Sequence, residues 1–160
     1  MKKLRFALCV LLISLLFEMK TYSDTIQPLP EEIIQYTEEI GTSMGISPEL
    51  LQAIIEKESN GKANAFNGVC IGLMQINPKY QTKRMAKLGV TDLYDAYTNI
   101  LVGADYLVTL FEKYEDPYLV LMCYNMGESK AVPLYESDKF SKYAISICER
   151  AYELEKLHDK

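Results

Sequence analysis

Glu58 is the residue on which chemistry can be built. Leu51, Ile54 and Ile55 recur at helical spacing, and Glu58 follows them at i+7, i+4 and i+3, where another apolar side chain belongs. Glu49 and Glu56, on the same segment, fall off that stripe. Placing a carboxylate among apolar groups strips its hydration, disfavours the charged form and raises its pKa. A carboxylic acid still protonated near neutral pH is what a general acid must be. Periodicity alone also admits a surface glutamate at a fraying helix end, or one paired with a buried cation. A second anomaly is Asn125, beside Tyr124 at the end of Tyr118 to Met126 (YLVLMCYNM), a run apolar on nearly all sides. An amide there must find partners in a neighbouring loop or in a ligand.

Other chemistries are excluded by composition. The 160 residues contain one histidine, His158, in a Lys-Leu-His-Asp-Lys tail (158–160 and the residues before it) that reads as solvated and frayed. A Ser-His-Asp triad, a Cys-His dyad or a His-rich zinc site needs an imidazole in the core. Proton transfer must then come mainly from carboxylates, tyrosines, lysines or cysteines. Beyond the N-terminal run, Cys70, Cys123 and Cys148 are spaced by 53 and 25 residues, which is no metal pattern. They are compatible with one disulfide plus an unpaired thiol, or with three buried thiols.

These residues need elements to hold them. Ile33, Thr37, Ile40 and Met44 mark a first helix weakened by Gly41 and Gly45. Ser47-Pro48 is an N-cap followed by proline at the first helical position, opening the helix that ends in Ser59-Asn60-Gly61. From Lys62 to Thr91 periodicity is weak and turns are frequent; Gly72 to Ile76 reads as a short strand or ordered loop. Lys79, Lys83, Arg84 and Lys87 read as a solvated positive face. Ile100, Gly103, Ala104, Leu107, Phe111 and Tyr114 mark the next helix, Asp116-Pro117 opens the apolar one, and Gly127 is placed to stop it. Phe140, Tyr143, Ala144, Ile147, Ala151 and Leu154 give a last helix. The expected architecture is one mainly α domain over residues 31–157, with a small β element near 66–77.

Residues 1–23 have the layout of a secretory signal peptide: Lys2, Lys3 and Arg5, then an uncharged run of 12 residues from Phe6 to Phe17, then Thr21-Tyr22-Ser23. That run is shorter than the roughly 20 residues that span a bilayer, so a retained anchor is the lesser expectation. Residues 24–30 form a short lead. Setting aside residues 1–23 removes four cations and one anion from 17 basic and 22 acidic groups, and the formal charge moves from −5 to −8. Such a surface argues against nucleic acid and anionic lipid as partners.

Glu58-Ser59, Gly72-Leu73-Met74-Gln75-Ile76, Asn99-Ile100 with Gly103 and Tyr106-Leu107, Tyr124-Asn125 and Tyr143 occur in one order. In that order the chain resembles the soluble-type lytic transglycosylases, lysozyme-like enzymes of glycoside hydrolase family 23. The resemblance covers about residues 31–157. It implies cleavage of the β-1,4 bond between N-acetylmuramic acid and N-acetylglucosamine in peptidoglycan, closing a 1,6-anhydromuramyl ring without water. It also implies an exported monomer that works on glycan strands outside the cytoplasm with neither a metal nor an organic cofactor.

Carried over, the resemblance makes Glu58 the acid that protonates the glycosidic oxygen and the base that accepts the proton of the sugar's 6-hydroxyl. Gln75 would bond the glycan, with Met74 lining a sugar subsite. Tyr124 would orient or bond Glu58, Asn125 and Tyr143 would hold the cleft wall, and Ser59 would brace the turn. Asn67 stands where the family usually has serine, in a segment one residue shorter than usual, and Cys70 stands where alanine is common. A Glu-Thr pair common before the last tyrosine is replaced by Asp138-Lys139-Phe140-Ser141. Two rivals share the pattern: a hydrolytic muramidase, and a catalytically silent wall-binding subunit of a secretion, conjugation or phage machine. Glu128 is the one further acid kept as a candidate second carboxylate.

Overall fold

The computed structural model describes residues 28–158. The expected signal peptide (1–23) and most of the lead lie outside the described residues. Seven helices follow: α1 (Glu31–Met44), α2 (Pro48–Ser59), α3 (Pro78–Leu88), α4 (Ala96–Phe111), α5 (Pro117–Met126), α6 (Glu128–Tyr135) and α7 (Lys142–Leu157). Among the described residues no helix is long and apolar enough to cross a membrane.

Helix α2 forms where cap and stripe agree. Ser47 Oγ accepts from the Leu50 N–H, Pro48 occupies the first turn, and Asn60 closes the helix in the left-handed region at φ 51°. Leu51, Ile54 and Ile55 are fully buried, each contributing about 1.5–3 kcal/mol of apolar transfer. They pack between α1 and α7, while α5 packs on α7, α4 and α6. Leu119 to Cys123 of α5 are all buried, as an all-round apolar helix must be. Gly127 ends α5 at φ 79°, its N–H returning to the Cys123 carbonyl.

Between α2 and α3 the expected β element appears as two antiparallel bridges, Phe66 with Ile71 and Ile71 with Ile76. Ile71 and Ile76 exchange both N–H···O bonds at 3.0 and 2.9 Å. Two helices depart from the sequence reading. Helix α3 lies in the stretch read as turns because it buries no residue, so no apolar period marks it. Asn77, accepting from the Lys79 N–H, and Gly89 at φ 70° set its ends. Helix α6 was also unanticipated: it is eight residues long, buries Ala131 alone and contains Pro133.

Candidate active site

A cleft of about 920 Å³ opens between the C-terminal end of α2, the bridged loop, α3, α4 and the α5–α6 junction. Glu58 is the one carboxylate among the described residues that line it. A second depression, of about 680 Å³, lies along α2 and α7. Glu56 and Arg150 pair within it, and neither Glu58 nor Gln75 lines it.

Glu58 is half-buried in the last turn of α2. Tyr143, from α7, donates its hydroxyl to Glu58 Oε1 at 2.5 Å. Burial pushes the Glu58 carboxyl above its ordinary value; the Tyr143 bond and the charge of Lys57 pull weakly the other way. Burial and then the Glu58 charge push the Tyr143 phenol well up, so it stays a donor. The site therefore favours a protonated acid fixed by a neutral phenol.

The opposite wall is a loop held from below by Asn99. Asn99 Oδ1 accepts from the Met74 N–H at 2.8 Å, and its Nδ2 donates to the carbonyls of Ile71 at 2.9 Å and Leu93 at 2.8 Å. Gly72 (φ 79°) is required there, since a Cβ would lie 2.1 Å from Asn99 Nδ2. Gly103 on α4 leaves the space that the buried Met74 side chain fills, since a Cβ there would meet Met74 Sδ at 2.4 Å. Asn99 is thus the anchor of the loop, a role beyond its place in the motif. Its signal was present: Gly103 and Tyr106 follow it at i+4 and i+7, so an amide begins a packed stripe.

The structure rearranges several expected roles. Met74 is 0% exposed and packs on Gly103 in the core, so its side chain lines no sugar subsite. Its carbonyl instead accepts from the Tyr124 hydroxyl at 2.8 Å. Tyr124 thus braces the loop, and Tyr143 rather than Tyr124 bonds Glu58. Sequence order shows neither choice, because both hydroxyls converge only when α5 and α7 pack. Ser59 is buried and returns its hydroxyl to the Ile55 carbonyl at 3.1 Å, behind the acid.

Gln75 holds a left-handed backbone, φ 49°, and lines the cleft. Its Nε2 donates to the Gly72 carbonyl at 2.9 Å and the Ala65 carbonyl at 3.3 Å, which directs Oε1 away from the loop. Asn67 Oδ1 accepts from the N–H groups of Val69 and Cys70, shaping the shortened turn. Asn125 is exposed on the cleft wall, not buried in the core.

Arg84 is not a solvated face residue. It pairs with Asp105, bonds Gln81 at 2.9 Å and Thr109 at 3.1 Å, and stacks 5.2 Å from the Tyr106 ring. Tyr106 lies 5.4 Å from Tyr124, so a chain of contacts runs from α3 to the bridged loop. Glu128 is excluded as a second carboxylate of the cleft: Lys113 and Tyr114, the latter at 2.6 Å, hold it outside the lining.

The three thiols are free. Burial pushes Cys123 and Cys148 up to about 11, while Cys70 lines the cleft. His158 is also placed differently from a frayed tail residue: its Nδ1 lies 3.0 Å from Oε1 of Glu49, which is 2% exposed. Together with Glu38 these two form the one group among the described residues whose atoms stand close enough to hold a metal ion.

The family model described as the transglycosylase SLT domain matches residues 35–147. A transglycosylase of Enterobacteria phage PRD1 is 32% identical over 102 residues, covering 61% of this chain and 37% of the relative. An endo-type membrane-bound lytic murein transglycosylase A of Klebsiella pneumoniae (strain 342) is 31% identical over 119 residues, covering 64% and 59%. The chain thus spans between about a third and three-fifths of the length of these curated relatives. In solved structures, the inactive mutant of lytic transglycosylase Slt from Pseudomonas aeruginosa superposes with a TM-score of 0.66 at 19% identity. The superposition covers 78% of this chain and 24% of that one. This likeness shows the fold, mainly α and lysozyme-like.

Proposed function

As the chain belongs to the transglycosylase SLT domain family, we propose that it is a lytic transglycosylase cleaving the β-1,4 bond between N-acetylmuramic acid and N-acetylglucosamine in peptidoglycan. The carrying observation is the lone cleft carboxyl Glu58, held by Tyr143 and raised toward its protonated form by burial. Protonated Glu58 donates to the glycosidic oxygen. The resulting carboxylate then accepts the proton of the muramyl 6-hydroxyl as that oxygen closes on C1, giving the 1,6-anhydro product. Asn125 and the free face of Gln75 contact the glycan from the two walls, with Asn67 at the turn and Ser59 behind the acid. Two-carboxylate glycosidases place a partner about 5–10 Å from the acid, as nucleophile or water-activating base. The lining supplies no such partner among the described residues, which favours the substrate's own hydroxyl over water.

Action outside the cytoplasm follows from the same substrate and from the export-signal layout of residues 1–23. Mass spectrometry of digested peptidoglycan tests the reaction. Anhydro-muropeptides, one water lighter than hydrolytic products, are expected; reducing ends alone would make the protein a muramidase. No release by the wild-type chain would leave it a silent wall-binding subunit.

A further inference from the structure

The cleft carries charge that a neutral sugar does not need. In a chain of formal charge −5, the charged lining residues are Glu58, Arg84 and Lys130, and Glu58 is biased toward its uncharged form. Arg84 is balanced by its ion pair with Asp105, which leaves Lys130 as the lining cation that enters no ion pair among the described residues. Arg84, on α3, is immobilised by Asp105, Gln81 and Thr109. Lys130 stands across the lining, in the first turn of α6; it is exposed and enters no ion pair among the described residues.

A lysine in a first helical turn opposes the helix dipole, an unfavourable placement unless an anion comes to it. The one acid of that turn, Glu128, is drawn away by Lys113 and Tyr114. No side chain caps α6, and Ser129 faces the same cleft. Neutral N-acetylated sugars gain nothing from this arrangement, whereas a carboxylate does.

Muramic acid differs from glucosamine by a 3-O-lactyl branch ending in a carboxyl group. That group is either free or extended by a peptide that itself carries carboxylates. The geometry points to Lys130 as the specificity-determining cation of the cleft that binds a carboxylate on the muramyl lactyl branch. This rests on the cleft being the glycan site. Lys130 reads the branch and does not touch the reacting bond.

Lys130→Met and Lys130→Glu test this, since the position is exposed and both variants keep the fold. Strands bearing stem peptides, strands stripped by an amidase to the free lactyl carboxylate, and a neutral N-acetylglucosamine hexamer are compared. On peptide-bearing strands at low salt, kcat/KM is expected to fall about threefold for Met and about tenfold for Glu. Binding of the hexamer, measured in the Glu58→Gln background, is expected to stay within about twofold. The deficit is expected to shrink to under about twofold near 0.5 M salt, where the Debye length falls to a few ångströms.

A deficit that persists on amidase-stripped strands assigns the lactyl carboxylate. One seen on peptide-bearing strands alone assigns a stem-peptide carboxylate. Equal losses on neutral and anionic ligands, or none on either, overturn the assignment. Failure of the wild-type chain to release any product would instead overturn the reading of the cleft itself.

Discussion

Glu56 and Glu58 stand two residues apart on α2 and both reach α7, yet their partners differ in kind. Glu56 meets Arg150 through two bonds, 2.6 and 3.0 Å, with side chains 7% and 27% exposed. Glu58 meets the Tyr143 hydroxyl and enters no ion pair among the described residues. A planar guanidinium fork fixes a carboxylate in its charged form and ties two helices together. A phenol positions a carboxyl without supplying the charge that would hold it ionised. One α2–α7 interface therefore contains a clamp and an acid, separated by half a helical turn.

The largest expected contrast breaks the pair by amide substitution. Glu58→Gln keeps the shape and removes the transferable proton, so peptidoglycan release should fall by at least about 10³-fold. Glu56→Gln should stay within about threefold of wild type. Equal activities of wild type and Glu58→Gln in a zymogram would remove Glu58 from its role.

Tyr143→Phe comes next, with an expected loss in kcat of about 10-fold or more from a misoriented acid. Its pH profile sharpens the point. The Tyr143 bond lowers the Glu58 pKa, against the larger raising effect of burial. Losing that bond raises the pKa further, so the basic limb of the rate profile should move to higher pH. An unmoved limb would mean that another group titrates there.

The clamp should show itself in stability instead. Arg150→Met leaves Glu56 buried without its cation, and we expect a loss of about 1–3 kcal/mol after allowing for the partial exposure of Arg150. Urea denaturation at unchanged m-value measures it. The acid has the opposite sign. A carboxyl whose pKa is raised on folding binds more protons in the native than in the unfolded state, so stability falls as pH rises through that window. Glu58→Gln should therefore melt above wild type at neutral pH, the gain vanishing below about pH 4. The site would then be held at a small cost in stability.

Much of this comparison was legible in the chain. Glu58 broke the stripe of Leu51, Ile54 and Ile55, and Glu56 lay off it; that difference is periodicity, which a linear sequence carries. The ends of α2 and α5 were legible for a local reason, since Ser47, Pro48, Asp116 and Gly127 act within one turn. Helix α3 was not, because its position depends on Arg84 reaching Asp105 and Thr109, and no buried stripe betrays it. The direction of Met74 was missed for a related reason. Gly103 offers it a hole 29 residues away, and local pattern cannot show which face of an ordered loop meets that hole.

By itself the sequence determined the helical frame, the family pattern and the one carboxyl that interrupts an apolar face, because caps, turns and hydrophobic periods are short-range. Tertiary structure alone decided which tyrosine bonds that carboxyl, which braces the loop, that Glu128 stands outside the cleft and that His158 lies against Glu49. Each of those is a contact that a side chain makes with a group 14 to 109 residues away. Their partners are selected by how helices pack, and the spacing of residues along the chain holds no record of that choice.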